Sequence, residues 1–371
     1  MEWTYLINEL NINKKQLDEK KQQTDYKIKY IIEYMIRWLQ VNVHRPDITD
    51  INYVDCMCNA GIYQDGDLCT SMEVLLLFVN IASLHHDKRF NLFINDKDKT
   101  RTDICSKIAE KLLCVKEHSN VNIYINSLDV NQYLQDFSLF DKYFRYGGAT
   151  VLFVDPYDFG TVIIDRLTSF ITRYYCEVIF NFFISDYVRN GIDRRIRTCI
   201  GDVKISNKEE LIAYIVSCLK VGKMQYVFSY QFRTSTNTEL YQIIFATPHI
   251  KGLEVLKEAL WETFNGRFFH RNYETDPKQI TLFTDDDDRQ VLLSTHARLA
   301  KELLQKNFSS HTVAYEQIEL FLTENTMMKK TDFLRSVLKP LIEKRLVIKQ
   351  GIPKNKSNYK DDMYTFIKGI L

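Results

Sequence analysis

Residues 53–69 read YVDCMCNAGIYQDGDLC. An apolar run ends at Asp55 and gives way to small residues, with Cys56, Cys58 and Cys69 interleaved. Two chemistries compete for this pattern: a metal or cluster site built on cysteines, or a cofactor loop that contains some. Zinc sites present two close Cys/His pairs, whereas here a C-x-C is followed at a distance by one cysteine. Small side chains filling a tight turn after a strand are the better account, and no metal is expected. The pair His85-His86 reads the same way, as the polar end of a helix.

Outward from this stretch, short apolar runs alternate with helical patterns. INYV (51–54), FNLFI (90–94), VNIYI (121–125), TVLFV (150–154) and CEVIFNFF (176–183) read as strands. Helices are expected near 71–84 and 99–113. Strands alternating with helices mean βαβ units and a mostly parallel sheet. MQYVFSYQFRTSTNTELYQIIFAT (224–247) reads as two further strands joined by a Ser/Thr/Asn turn. Before all of these, DYKIKYIIEYMIRWLQ (25–40) sets Tyr30, Ile31, Tyr34, Met35, Trp38 and Leu39 on one helical face.

Composition bounds the function without choosing it. The 371 residues are 45% hydrophobic and carry a net charge of +1, ordinary for a globular chain of one or two domains. The opening residues MEWTYLINELNINKKQLDEKK are polar and charged, unlike a secretory leader, so the eight cysteines are expected reduced and the protein cytoplasmic. MEVLLLFVNIASL (72–84) is too short to span a bilayer, and no membrane association is expected. A boundary is expected near FTDDDDRQ (283–290), whose four aspartates read as a solvated linker. The expected domains are 1–285 and 286–371. The second holds two amphipathic helices, YEQIELFLTEN (315–325) and KTDFLRSVLKPLIEKRL (330–346). LVIKQ, a basic loop and MYTFIK follow, the pattern of a small winged helix.

In an open α/β sheet, ligands bind beyond the carboxyl ends of the strands near the switch point. The first strand ends at Asp55, followed by Asn59, Ala60 and Gly61, where small residues admit close backbone approach. The second ends at Asn95 and Asp96, suited to a ribose diol. Asp129 follows the third and is placed to meet an adenine amino group. The fourth ends in Asp155-Pro156-Tyr157. That succession resembles the class I S-adenosylmethionine-dependent methyltransferases.

The chain further resembles the three-Cys-motif partner (TcmP) family of methyltransferases. KIKYIIEYMIRW (27–38), with Tyr34 and Trp38, is similar to that family's leading helix, and YVDCMCNAGIYQDG (53–66) to its YiDxFAGxGxYxxG loop. LFIND, VLFVDPYDFG, EVIFNFFISDYVRNG and YQIIFAT resemble its later strands. The resemblance implies a Rossmann-like sheet with helices on both faces, S-adenosylmethionine as cofactor and a radical-SAM-like protein partner. Asn59 stands where the family has glycine; it is the non-glycine residue that best tolerates positive φ. The substitution puts the close cofactor approach, and with it activity, in question.

Asp155-Pro156-Tyr157 resembles the Asp-Pro-Pro-Tyr motif of enzymes that methylate exocyclic amines of adenine or cytosine. There the acid orients the amine and the aromatic stacks on the base, which must be unstacked to be reached. The alternative is that Pro156 ends the strand and Tyr157 packs under the loop. A basic tail from Lys329 onward, with Lys354, Lys356 and Lys360 in the expected wing, suits phosphate contacts or a solvated face. Arg189, Arg194, Arg195 and Arg197 line the substrate side or coat an exposed helix. Three functions follow: a methyltransferase acting on a nucleic acid, an inactive scaffold of the same fold, and a nucleic-acid-binding regulator.

Overall fold

The computed structural model describes residues 3–114, 119–144, 147–184, 193–221, 224–272, 285–350 and 362–368. The chain divides into two compact units, one formed by Met1–His249 with Phe269–Glu274 and the other by Ile250–Phe268 with Thr275–Leu371.

The first unit is built on an eight-stranded sheet. After α1 (Thr4–Glu9) and α2 (Gln22–Asn42) come β1 (Asp50–Asp55), α3 (Thr70–Ala82), β2 (Arg89–Asn95), α4 (Lys99–Leu113) and β3 (Val121–Asn126). Two short helices, α5 (Val130–Tyr133) and α6 (Asp141–Phe144), lead to β4 (Gly148–Val154), α7 (Ile164–Arg173) and β5 (Glu177–Phe182). Then come α8 (Asp193–Ile200), α9 (Lys208–Leu219), β6 (Tyr226–Arg233), β7 (Glu239–Thr247) and the edge strand β8 (Phe269–Arg271).

The strand order is β3-β2-β1-β4-β5-β7-β6-β8. β1 to β5 pair in parallel, and β7 enters antiparallel between β5 and β6. Every residue of β1 is buried, as a central parallel strand covered on both faces requires. The register of the parallel strands is held by a rung of polar side chains. Asn122 donates to Asn91 (3.0 Å), Asn91 to Asn52 (2.9 Å), and Asn52 to the Thr150 hydroxyl (3.1 Å). A slip by one residue would leave these buried amides without partners. This is a mixed α/β arrangement with a large, mostly parallel sheet, as the alternating runs predicted.

Helix α2 forms because its apolar residues recur every three or four positions, and Tyr30, Ile31, Tyr34, Met35, Trp38 and Leu39 are all buried. The Tyr34 ring meets Phe245 of β7 edge-on at 5.2 Å, and its hydroxyl donates to Glu177 at the start of β5. At the other end of the helix, Tyr241 of β7 donates to the Gln23 carbonyl at 3.4 Å. α2 therefore runs along the sheet with its first turns at the carboxyl ends of β4 and β5. Among the described residues, no helix is long and apolar enough to cross a membrane.

The second unit holds α10 (Ile250–Phe264), α11 (Asp285–Phe308), β9 (Thr312–Ala314), α12 (Tyr315–Asn325), α13 (Lys339–Glu343), β10 (Val347–Gln350) and β11 (Met363–Phe366). Its three strands form an antiparallel sheet in the order β10-β11-β9. Three expectations change here. Asp285–Asp288 open helix α11 instead of a linker, because carboxylates at a helix N-terminus are favoured by the unpaired N–H groups there. The expected boundary at 285/286 moves back to 249/250. Helix α10 belongs with the second unit, since Trp261 Nε1 donates to the Met327 carbonyl at 2.7 Å and Lys257 donates to the Thr323 carbonyl. The segment 330–346, expected as one regular helix, is a 3-10 turn, a π-turn at Phe333–Leu338 and then α13. Pro340 has no N–H to give the preceding turn, which loosens the ladder there.

Candidate active site

The strand order reverses between β1 and β4; β1 ends in an acid, Asp55, and β4 is followed directly by one, Asp155. In register, Asp55 lies opposite Phe153, so Asp155 stands two residues further along the neighbouring strand. Both acids thus flank the switch point of the sheet, the place where open α/β sheets as a class bind their ligands.

Asp55 is only 2% exposed. One carboxylate oxygen accepts from the Ser71 hydroxyl at the start of α3 (2.7 Å), the other from the Met57 amide (3.1 Å). Burial pushes its carboxyl up to about 7, opposed by those two hydrogen bonds and assisted by the neighbouring Asp155 and Asp96. Above it the turn closes tightly. Asn59 has φ +60°, its side chain accepts from the Ala60 amide (2.6 Å), and its own amide donates to Asp96 (3.2 Å). Asn59 thus adopts the left-handed backbone that asparagine tolerates best after glycine.

Gly61 also has a positive φ of +83°, and a Cβ there would sit 3.2 Å from the Cys105 sulfur and 3.4 Å from Met72. Its smallness lets α3 and α4 approach the loop. The three cysteines of the opening stretch are buried, and burial raises the Cys69 thiol to about 12. Among the described residues, no group of three or more His, Cys, Asp and Glu could hold a metal ion.

Asp96 joins two loops: one oxygen accepts from Asn59, the other from the Asp98 amide at 2.9 Å. Its neighbour Asn95 is a brace across three strand ends, donating to the Cys56 and Leu128 carbonyls at 3.0 and 2.9 Å and accepting from the Leu128 amide at 3.0 Å. Asn95 is fully committed to the backbone, so Asp96 is the acid left for a ligand at this strand end. Asp129 is exposed and caps α5, accepting from the Asn131 amide at 2.9 Å. At the fourth strand end, Pro156 is buried and Tyr157 is 51% exposed. The alternative in which Tyr157 packs under the loop does not hold. Its hydroxyl pairs with Arg101 of α4, whose guanidinium lies 5.2 Å from the ring centre and reaches Asp18 at 3.0 Å.

Asp155 brings in two residues that the sequence did not single out. One oxygen accepts from Asn181 of β5 at 2.5 Å, and the other pairs with the Lys27 ammonium of α2. Lys27 is 9% exposed. Two polar atoms nearby are orphans among the described residues: the Tyr53 hydroxyl, on a fully buried residue, and the Asn181 side-chain oxygen. Burial raises the Tyr53 phenol well above its usual range, with Asp55, Cys69 and Asp155 adding to the effect.

The remaining sites lie apart. Lys354, Lys356 and Lys360, like Arg189, fall outside the described residues. Of the basic tail, Lys330 pairs with Glu319 (2.5 Å) and Glu254 (3.1 Å), and Lys349 with Asp362 (2.5 Å), so part of that charge is neutralised within the unit. Arg194 and Arg197 are exposed on α8, beside the loop that follows β4: a Cβ on Gly160 would sit 3.2 Å from the Arg195 carbonyl.

No family model and no curated protein sequence matches the chain. Among solved structures it is similar to a class I S-adenosylmethionine-dependent methyltransferase candidate from Listeria monocytogenes, at 11% identity and a TM-score of 0.33, over 65% of each chain. It is similar also to the methyltransferase domain of bacterial CtHen1-CN, at 12% identity and TM-score 0.32, over 59% of this chain and 98% of that one. Spermidine synthase from Thermotoga maritima matches at 12% identity and TM-score 0.34, over 74% and 77%. The match thus spans just under two thirds of the Listeria protein.

Proposed function

We propose that the chain is an S-adenosylmethionine-dependent methyltransferase whose acceptor is an amino group of a nucleic-acid base. The observation that carries this reading is the pair of acids, Asp55 and Asp155, on the two strands that flank the switch point. The residues suit a nucleoside sulfonium. Asp96 accepts two backbone amides and has two acceptor positions left for a vicinal diol. Asp129 would take the adenine amine. The Asn59 turn and the orphaned Tyr53 hydroxyl lie beside Asp55, which with Gly61 would face the methionine part. The cofactor would supply an electrophilic methyl group, and the chain would supply orientation. Asp155 would accept an N–H of the acceptor amine and Pro156 would fix the loop. The exposed Tyr157, backed by Arg101, offers a stacking face for an unstacked base.

The second unit supports a nucleic-acid partner through its three-stranded sheet and preceding helices, a winged-helix-like arrangement in which Lys354, Lys356 and Lys360 would meet phosphates. The resemblance to the three-Cys-motif partner family adds a radical-SAM-like protein as a working partner. A scaffold without activity is favoured by one observation: both Asp155 oxygens are already engaged, by Lys27 and Asn181.

Transfer of labelled methyl from S-adenosylmethionine to single-stranded DNA and RNA tests the reading. Label is expected on one of them and is expected to fall at least about 100-fold in Asp155→Ala, the scale of lost acceptor positioning. Cofactor binding without transfer to either polymer would leave the scaffold.

A further inference from the structure

Lys27 stands out because it sits in line with Tyr30, Ile31 and Tyr34 on the buried face of α2, where a lysine is seldom found. Instead its ammonium is carried to the end of β4, against Asp155, with a side chain only 11% exposed. Asp155 is held from the far side by the Asn181 amide nitrogen, which fixes the orientation of that amide. The Asn181 oxygen is then the atom left over. It belongs to a residue 1% exposed and has no hydrogen-bond partner among the described residues. A buried acceptor without a donor is costly, and one beside a carboxylate marks a place that lacks an N–H. Asp155 and Asn181 together offer two acceptors on adjacent strands, the complement of the two hydrogens of a single amino group. The lysine ammonium meets the carboxylate and does not meet the amide oxygen.

We propose that Asp155 and Asn181 form an amine-binding pocket, that Lys27 occupies it as an internal stand-in for the acceptor, and that an N–H donor enters by displacing the lysine. This deepens the methyltransferase reading and rests on it. It commits the acceptor to an amine, adds Asn181 and Lys27 as specificity-determining residues, and makes α2 the element that guards the pocket.

Two cofactor analogues separate the proposal from the reading beneath it. S-adenosylhomocysteine is uncharged at sulfur, whereas sinefungin carries a primary ammonium where the cofactor has its methyl group. Titrating both by calorimetry into the full chain, wild type and Lys27→Met, gives the ratio of their affinities. With the lysine gone, sinefungin gains the free carboxylate and loses a repelling charge. Its affinity relative to S-adenosylhomocysteine is expected to rise about tenfold, equivalent to about 1.4 kcal/mol, while Lys27→Arg keeps the wild-type ratio. A general structural defect would weaken both ligands together. An unchanged ratio with intact S-adenosylhomocysteine binding overturns the proposal and leaves the cofactor site standing. Failure of wild type to bind either ligand overturns the reading itself. A second measurement needs no variant: acetylation of Lys27 by acetic anhydride, read by mass spectrometry, is expected to rise with sinefungin and not with S-adenosylhomocysteine. Equal labelling under both ligands contradicts displacement.

Discussion

Asp55 concentrates the energetic tension of the site. A carboxyl held near 7 by burial binds a proton in the folded chain that the unfolded chain has already lost, so stability falls as pH rises from about 4 toward 7. Asp55→Asn removes the charge and keeps the shape. Its melting temperature is expected to exceed that of wild type at pH 8 and to converge with it near pH 4, with a difference on the order of 4 kcal/mol across that window. Equal pH dependence of the two melts would show that Asp55 ionises freely. The turn beside it is a separate test. Asn59 and Gly61 both adopt left-handed backbone, so Asn59→Gly should be nearly neutral, whereas Asn59→Val should cost about 1–2 kcal/mol in denaturant titration. Asp55, Asn59 and Asp96 were legible because strand ends fix their positions. Lys27 was not, since it meets Asp155 across 128 positions of sequence and only the path of α2 brings them together.

At the scale of elements, the docking of α2 on the sheet depends on a half-buried carboxylate. Glu177 accepts from the Tyr34 hydroxyl and from the Thr247 hydroxyl at 2.8 Å, while burial raises its pKa. Tyr34→Phe keeps the ring contact with Phe245 and removes one donor. It is expected to cost about 1–3 kcal/mol, the penalty for a charged acceptor left short of a partner. No loss of stability would mean that the helix is held by its apolar face alone. The central strands of the parallel sheet read clearly from sequence because both faces are buried and their runs are mainly apolar, broken only by the polar rung. β8 and β9 did not, being three residues each and too short for any period to register. The π-turn before Pro340 was hidden for the opposite reason: the apolar spacing is helical, and only the missing N–H interrupts it.

For the whole molecule, the division of the chain matters more than its length. A cut at residue 285, where the aspartate run suggested a linker, would strip α10 of the carbonyls of Thr323 and Met327 that Lys257 and Trp261 bond to. Residues 1–285 expressed alone are expected to expose that helix's apolar face, bind a hydrophobic dye and aggregate. A well-behaved, dye-silent fragment would contradict the assignment of α10 to the second unit. The charge run misled because four like charges signal exposure, which a helix N-terminus satisfies as well as a linker does.

The most direct test of the central claim is calorimetric titration of the full chain with S-adenosylmethionine, wild type beside Asp96→Ala. The switch-point reading predicts binding in the micromolar range that weakens at least tenfold in the variant, whose ribose contacts would be gone. No heat from wild type at millimolar cofactor would contradict it.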